Sequence, residues 1–274
     1  MECREFDQNR ESLLTYNYCP RTEISMAKIE LLNNIDHKDL RVKIERSGKL
    51  GDNVWFTPTF PQEFRNLQKH YPVVFTKNSE TGQFQAVALL GFEVGENLFL
   101  DENGWNASYI PLSIMRQPFL IGFQHAEKDG VPIKNMVVSV DMDNPRVSKT
   151  EGEPVFLEHG GNTGYLEQIN SILNLINEGF ERNSAFIDML MGMDLLESFV
   201  LDIELDDGSK HRMSGFYTIN EESLLGLTGD DLVILNNNGH LEPIYMAIAS
   251  MSNISTLIEM KNILKAKNTA DVAD

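Results

Sequence analysis

Apolar positions along the chain repeat at two spacings, every second residue and every third or fourth, and the spacing changes from segment to segment. Val73 to Phe75 is a short apolar run behind Pro72, and Gln85 to Phe92 is rich in Ala, Val and Leu, so both read as extended segments joined by a turn. Asn97 to Leu100 leads into Asp101-Glu102-Asn103-Gly104, where Asn-Gly between apolar segments predicts a tight hairpin because both residues tolerate positive φ. Trp105 begins the return. Tyr109 to Met115 predicts a short helix ended by Gln117-Pro118, since a residue before proline is pushed out of the α region. Asn135 to Asp141, with Val137, Val138 and Val140, predicts a further strand.

Beyond that point the spacing becomes helical. Tyr165, Ile169, Ile172, Leu173, Ile176 and Phe180 make one buried stripe, and Phe186, Ile187, Leu190 and Met191 begin a second after Gly179; two helices or one kinked helix both fit. Phe199, Leu201, Ile203 and Leu205 alternate with Asp202, Glu204 and Asp206, the pattern of a half-buried strand. A three-residue loop at Asp206-Asp207-Gly208 gives Gly208 the left-handed position and sets Glu204 opposite Lys210, Asp202 opposite Arg212 and Leu201 opposite Met213. A two-residue turn would oppose Ile203 to Arg212 and mix the wet and dry faces. Ile244, Ile248, Met251, Ile254, Leu257, Ile258 and Leu264 predict a long closing helix.

The pattern as a whole predicts an α+β fold, with a mainly antiparallel β amino half and a carboxyl half built of a β-hairpin and long amphipathic helices. Turn formers crowd residues 141–161, the natural place for a division into subdomains within a single domain spanning 26–267. Residues 1–25 read as an upstream or unordered extension, and 268–274 as a frayed tail.

An ordered set of short motifs carries a family resemblance. Tyr71-Pro72-Val73-Val74-Phe75, Leu90-Gly91, Glu96-Asn97-Leu98-Phe99, Gly104-Trp105, Tyr109-Ile110-Pro111, Arg116 and Pro118-Phe119 resemble the SapC family of bacterial proteins. Asp202 to Gly208, Gly215 to Asn220, Leu224 to Leu227 and Gly239-His240-Leu241 are similar to the family's carboxyl half. The resemblance implies association with bacterial surface arrays and a genetic neighbourhood of cupin-like and flavin-dependent halogenase-like proteins. It implies no agreed reaction and no catalytic residue. Met26-Ala27-Lys28 resembles the family's amino terminus.

Composition narrows the partners. The 274 residues are 42% hydrophobic, enough for a sizeable core, and carry 23 Lys plus Arg against 41 Asp plus Glu, a formal charge of −18. Phosphate backbones and anionic membrane surfaces are therefore poor partners, and a basic protein, basic peptide or cation is electrostatically easier. Solubility alone also accounts for an acidic surface. Cys3 and Cys19 both precede Met26, so the main body has no thiol for a disulfide, a Cys-ligated metal or a cysteine nucleophile. No run reaches the roughly 18–20 apolar residues of a membrane helix. The start lacks a basic segment followed by an apolar one, which makes the cytoplasm the expected location, with signal-less export to the cell surface as the alternative.

Standard catalytic signatures are missing: no nucleophile elbow, zinc-protease helix, phosphate loop or dinucleotide fingerprint is present. Glu96, Asp101, Trp105, Tyr109 and Arg116 form the candidate ligand pocket, because an Arg can grip a carboxylate and Trp or Tyr can pack on a flat or sugar-like group. The same residues also fit a packed core with Arg116 fastening a loop to an acid. Gly160, Gly161, Asn162 and Thr163 precede a helix and form the candidate anion site, with a plain helix cap as the competing reading. Asp141-x-Asp143-Asn144 opens like a calcium loop, but Pro145, Arg146 and Gly152 fall where ligands or the turn glycine belong. Asp202, Glu204 and Asp206 could hold a metal from one strand face, yet Arg212 and Lys210 compete for the first two. The six histidines show no metal-site spacing, and neither a metal nor a cofactor is expected. The sequence favours a non-catalytic binding or accessory protein with a protein or peptide partner, over an enzyme with an unrecognised site near Glu96, Asp101, Trp105, Tyr109 and Arg116.

Overall fold

A computed structural model describes residues 28–128 and 131–273; the expected extension at 1–25 lies outside them. The amino half supplies strands β1 (Ile29–Leu31), β2 (Arg41–Val42), β3 (Phe56–Pro58), β4 (Val73–Lys77), β5 (Phe84–Leu89), β6 (Leu100–Asp101) and β7 (Gly104–Trp105), with short helices α1 (Phe64–Leu67) and α2 (Leu112–Met115). There follow β8 (Phe119–Lys128), β9 (Val131–Asp141), β10 (Val147–Ser148), β11 (Glu153–Pro154) and the 29-residue helix α3 (Gly164–Gly192). The carboxyl half closes with β12 (Leu196–Glu204), β13 (Lys210–Ile219), α4 (Glu221–Leu225), α5 (Gly229–Asn237), α6 (Leu241–Ser250) and α7 (Asn253–Ala273).

The fold is α+β, and every paired strand is antiparallel. Its contacts divide the chain into two units that are interleaved in sequence: residues up to Glu45 with Met115–Asn177, and Arg46–Ile114 with Glu178–Asp274. Residues 141–161 fall within the first.

In the first unit, β1, β9 and β8 form a sheet in that order, and β2 lies between β10 and β11 in a second small sheet. Arg146 is buried and donates Nη1 to the carbonyls of Lys43 (3.0 Å) and Glu45 (2.8 Å), holding the chain beside β2. Gly152 has φ +93 and lies so close to Val42 that a Cβ would stand 2.3 Å from its carbonyl oxygen, so both backbone and space require glycine.

The second unit carries a five-stranded sheet in the order β12-β13-β4-β5-β3. Val73, Val74, Phe75, Ala86, Val87, Ala88 and Leu89 of its two central strands are all buried. Their continuous apolar runs, rather than alternation, reflect a strand pair covered on both faces. The predicted hairpin register is present: Glu204 faces Lys210, Asp202 faces Arg212 and Leu201 faces Met213. Leu205 N donates to Ser209 O and Gly208 N to Leu205 O, with Gly208 at φ +77, closing the loop on three residues. A bulge between Phe199 and Leu201 places Ser214 and Gly215 opposite Val200 and keeps Phe199 on the core side with Leu201 and Ile203.

Two expectations shift, and one left open is decided. The tight turn at Asp101–Gly104 centres on Glu102 and Asn103 rather than Asn103-Gly104, and Gly104 alone takes positive φ, at +110. Of the two arrangements that fit the stripes beyond Gly164, the single helix is present, continuous over Gly164–Gly192. The single closing helix is interrupted at Met251-Ser252 to give α6 and α7.

Candidate functional site

The polar heart of the second unit is built around Glu63. Pro61-Gln62-Glu63 forms one 3-10 turn that runs directly into α1, so Phe60, Phe64 and Leu67 point one way and bring the Glu63 carboxyl inward with them. Glu63 is 2% exposed. Its Oε1 accepts from Tyr109 Oη (2.9 Å) and Leu112 N (2.7 Å), and its Oε2 from Thr59 Oγ1 (2.7 Å). Burial pushes the carboxyl above its ordinary pKa, against the pull of these three donors.

Tyr71 joins Trp105 to Tyr109, which itself bonds to that carboxyl. Trp105 Nε1 donates to Tyr71 Oη at 2.8 Å, and Tyr71 Oη donates to the Tyr109 carbonyl. Phe99 lies between the rings, 4.6 Å from Tyr71 and stacked on Trp105 at 6.3 Å with planes 10° apart. Burial raises the phenol pKa of both tyrosines well above the usual value, and the Glu63 carboxyl raises that of Tyr109 further. Both hydroxyls are thus neutral donors already in use.

The other expected pocket residues lie apart from this chain of bonds. Glu96 Oε2 accepts from Phe92 N at 2.9 Å, while Oε1 pairs with Lys261, whose side chain is 5% exposed and also reaches Glu93 at 2.6 Å. Burial lowers the Lys261 pKa, but hydrogen bonds to the two glutamates outweigh it and leave the ammonium above its ordinary value. Asp101 is exposed and accepts from Asn103 N at 2.7 Å, tying its own turn. Arg116 belongs to the first unit, where Nη1 donates to Phe119 O at 2.6 Å; burial lowers its pKa to about 10. The expected acid partner of Arg116 is a backbone carbonyl instead.

Glu63 and Lys261 escaped the sequence reading. Glu63 carried a usable signal, an acid set into the apolar spacing of Phe60, Phe64 and Leu67. Lys261 carried none, because its partners are 165 and 168 residues away. A hydroxyl–imidazole contact was equally hidden: His70 Nε2 and Ser108 Oγ stand 2.6 Å apart, and burial lowers the His70 pKa. The contact ties the end of α1 to the loop after β7, and the Tyr71 ring lies edge-on to the imidazole at 5.9 Å.

In the first unit, Thr163 caps α3: its Oγ1 accepts from Leu166 N at 3.3 Å and bonds to Pro154 O and Val155 O. Asn162 Nδ2 donates to Glu167 Oε1 at 2.6 Å, and Gly160 O accepts from Asn34 Nδ2 at 2.8 Å, while Gly161 is exposed. An anion at this helix start would meet the Glu167 carboxylate already in the first turn. Asp141 accepts from Asp143 N, closing a local turn, while Asp143 accepts from Lys28 N, 115 residues away. Asp202 and Glu204 pair with Arg212 (3.4 Å) and Lys210 (3.3 Å). Among the described residues no group of three or more His, Cys, Asp or Glu could hold a metal ion, and no helix is long and apolar enough to cross a membrane.

Antiparallel sheets, a strand-rich amino half, long carboxyl-terminal helices and a buried aromatic–carboxylate cluster define the class. The SapC family model matches residues 32–257, most of the chain, and the protein belongs to the SapC family. No curated protein and no solved structure matches it.

Proposed function

We propose that this protein is a non-catalytic binding or accessory component of a bacterial surface-layer or protein/peptide-modification system, acting by engaging a protein or peptide partner. One observation carries the reading: the side-chain polar atoms of Trp105, Tyr109 and Glu96, and one carboxylate oxygen of Asp101, are engaged in hydrogen bonds or ion pairs within the fold. Side chains committed in this way stabilise a shape and have little left for a substrate. The setting follows from the association of SapC proteins with surface arrays, and the acidic balance of −18 suits a basic partner.

The test is recovery of the tagged full chain from cells that naturally carry it, after mild cross-linking. A partner should be recovered reproducibly, and the Asp101→Ala chain should retain it. A monomer with no reproducible partner, or a substrate turned over by the purified chain and lost in Asp101→Ala, would overturn the reading.

A further inference from the structure

The first unit contains a cleft of about 410 Å³ between the chain leaving β1, the end of β9, the Phe156–Asn162 loop and the first turns of α3. Its lining is mixed. Val138, Phe156 and Leu166 supply apolar surface, and Asn34, Asn162 and Asn170 supply side-chain amides. Asn34 and Asn162 each donate one amide bond, to Gly160 O and Glu167 Oε1, and their carbonyl oxygens have no partner among the described residues. Asn170 is half-buried, and its side chain has no hydrogen-bond partner among the described residues. Neutral amides that both donate and accept match the repeating N–H and C=O of a peptide, whereas a charged ligand would leave half of each amide unmatched.

A sheet edge opens at the same place. β1 pairs with β9 only at Ser139 to Asp141, and Leu32 N still donates to Val138 O at 2.9 Å before the chain turns away at Asn33. In an antiparallel ladder alternate residues face the same neighbour, so Met136 turns its N–H and C=O to the side that Val138 uses. Among the described residues nothing pairs with β9 there. We infer that this cleft takes an extended peptide, which continues the place of β1 along β9 and is held by Asn34, Asn162 and Asn170 through its backbone. Acidic residues border the lining: Asp36 is bonded to Asn33, Glu167 to Asn162, and Glu158 lies two residues before Gly160. The preferred peptide therefore alternates apolar with basic or neutral side chains. The inference rests on the peptide-partner reading above and assigns it a place.

The test titrates the isotope-labelled full chain with a pool of end-capped hexapeptides built from Val, Thr, Leu and Lys. The side-chain amide signals of Asn34, Asn162 and Asn170 and the backbone amide of Met136 should shift. Methylating alternate backbone nitrogens of the pool should weaken binding about tenfold or more, as expected from losing two hydrogen bonds. No shift, an equal response to the methylated pool, or the same shifts with cellobiose would overturn it. Asn170→Arg should block the cleft, and Asn34→Ala, at an exposed position, provides a second variant should the first fail to fold. If both variants still capture the cellular partner, the cleft assignment fails while the partner reading stands; if no partner is ever captured but the pool binds as described, the reverse holds.

Discussion

Glu63 is a carboxyl placed where its neighbours in sequence are core side chains, and its three donors decide how the loop from Tyr109 to Leu112 meets α1. Because burial raises its pKa, the folded state holds this proton more tightly than the unfolded chain does. The resulting stabilisation is fully present below the unfolded value of 4.5 and is lost as pH rises through the raised folded value. Glu63→Gln keeps the shape and an acceptor for Leu112 N but has no proton to lose. Urea unfolding at pH values stepped upward from 4.5 should show stability falling less steeply in this variant than in the parent, and parallel profiles would contradict the assignment. Lys261 poses the complementary case, a cation whose removal leaves the largely buried Glu96 without its partner. Lys261→Met should cost about 3 kcal/mol, near the low end for breaking a buried pair, read from the shift in urea midpoint.

At the scale of elements, the hairpin β12–β13 was legible because charge and apolarity alternate strictly and only one loop length keeps the faces apart. The turn at Asp101–Gly104 was legible in place and not in detail. Asp101 accepts from Asn103 N and so fixes the turn one residue earlier than an Asn-Gly centre would. The division of the closing helix was not legible at all. Ser250 Oγ accepts from Val73 N and Asn253 Nδ2 donates to Gln68 O, long-range bonds that end α6 and start α7 without disturbing the apolar spacing. Gly179 left two helices and one kinked helix both open, since it weakens a helix by propensity, yet it lies inside the continuous α3. The reason is packing: a Cβ there would stand 2.2 Å from Phe60 Cδ2. Gly179→Ala should therefore destabilise by about 1–3 kcal/mol, although propensity alone favours alanine by about 1 kcal/mol. Thermal unfolding distinguishes the two, and a higher midpoint for the alanine chain would show that Phe60 is free to move.

For the whole molecule, family membership and fold class were readable from ordered motifs and apolar spacing, because both are properties of contiguous segments. The candidate site was readable only in part. Trp105 and Tyr109 do share one cluster, but its centre is Glu63 and Tyr71, and Glu96, Asp101 and Arg116 each belong elsewhere. Convergence of this kind depends on strand order and loop path, which local patterns do not encode. On the function proposed above, the aromatic–carboxylate cluster has a structural role and activity lies with what the protein binds. The most direct test of that role is the unfolding free energy of Tyr109→Phe in urea, followed by the fluorescence of Trp55 and Trp105, both within the second unit. Stability should fall by about 1–3 kcal/mol because the buried Glu63 is left short of a donor; a variant as stable as the parent would show that the Tyr109 hydroxyl does not hold the cluster together.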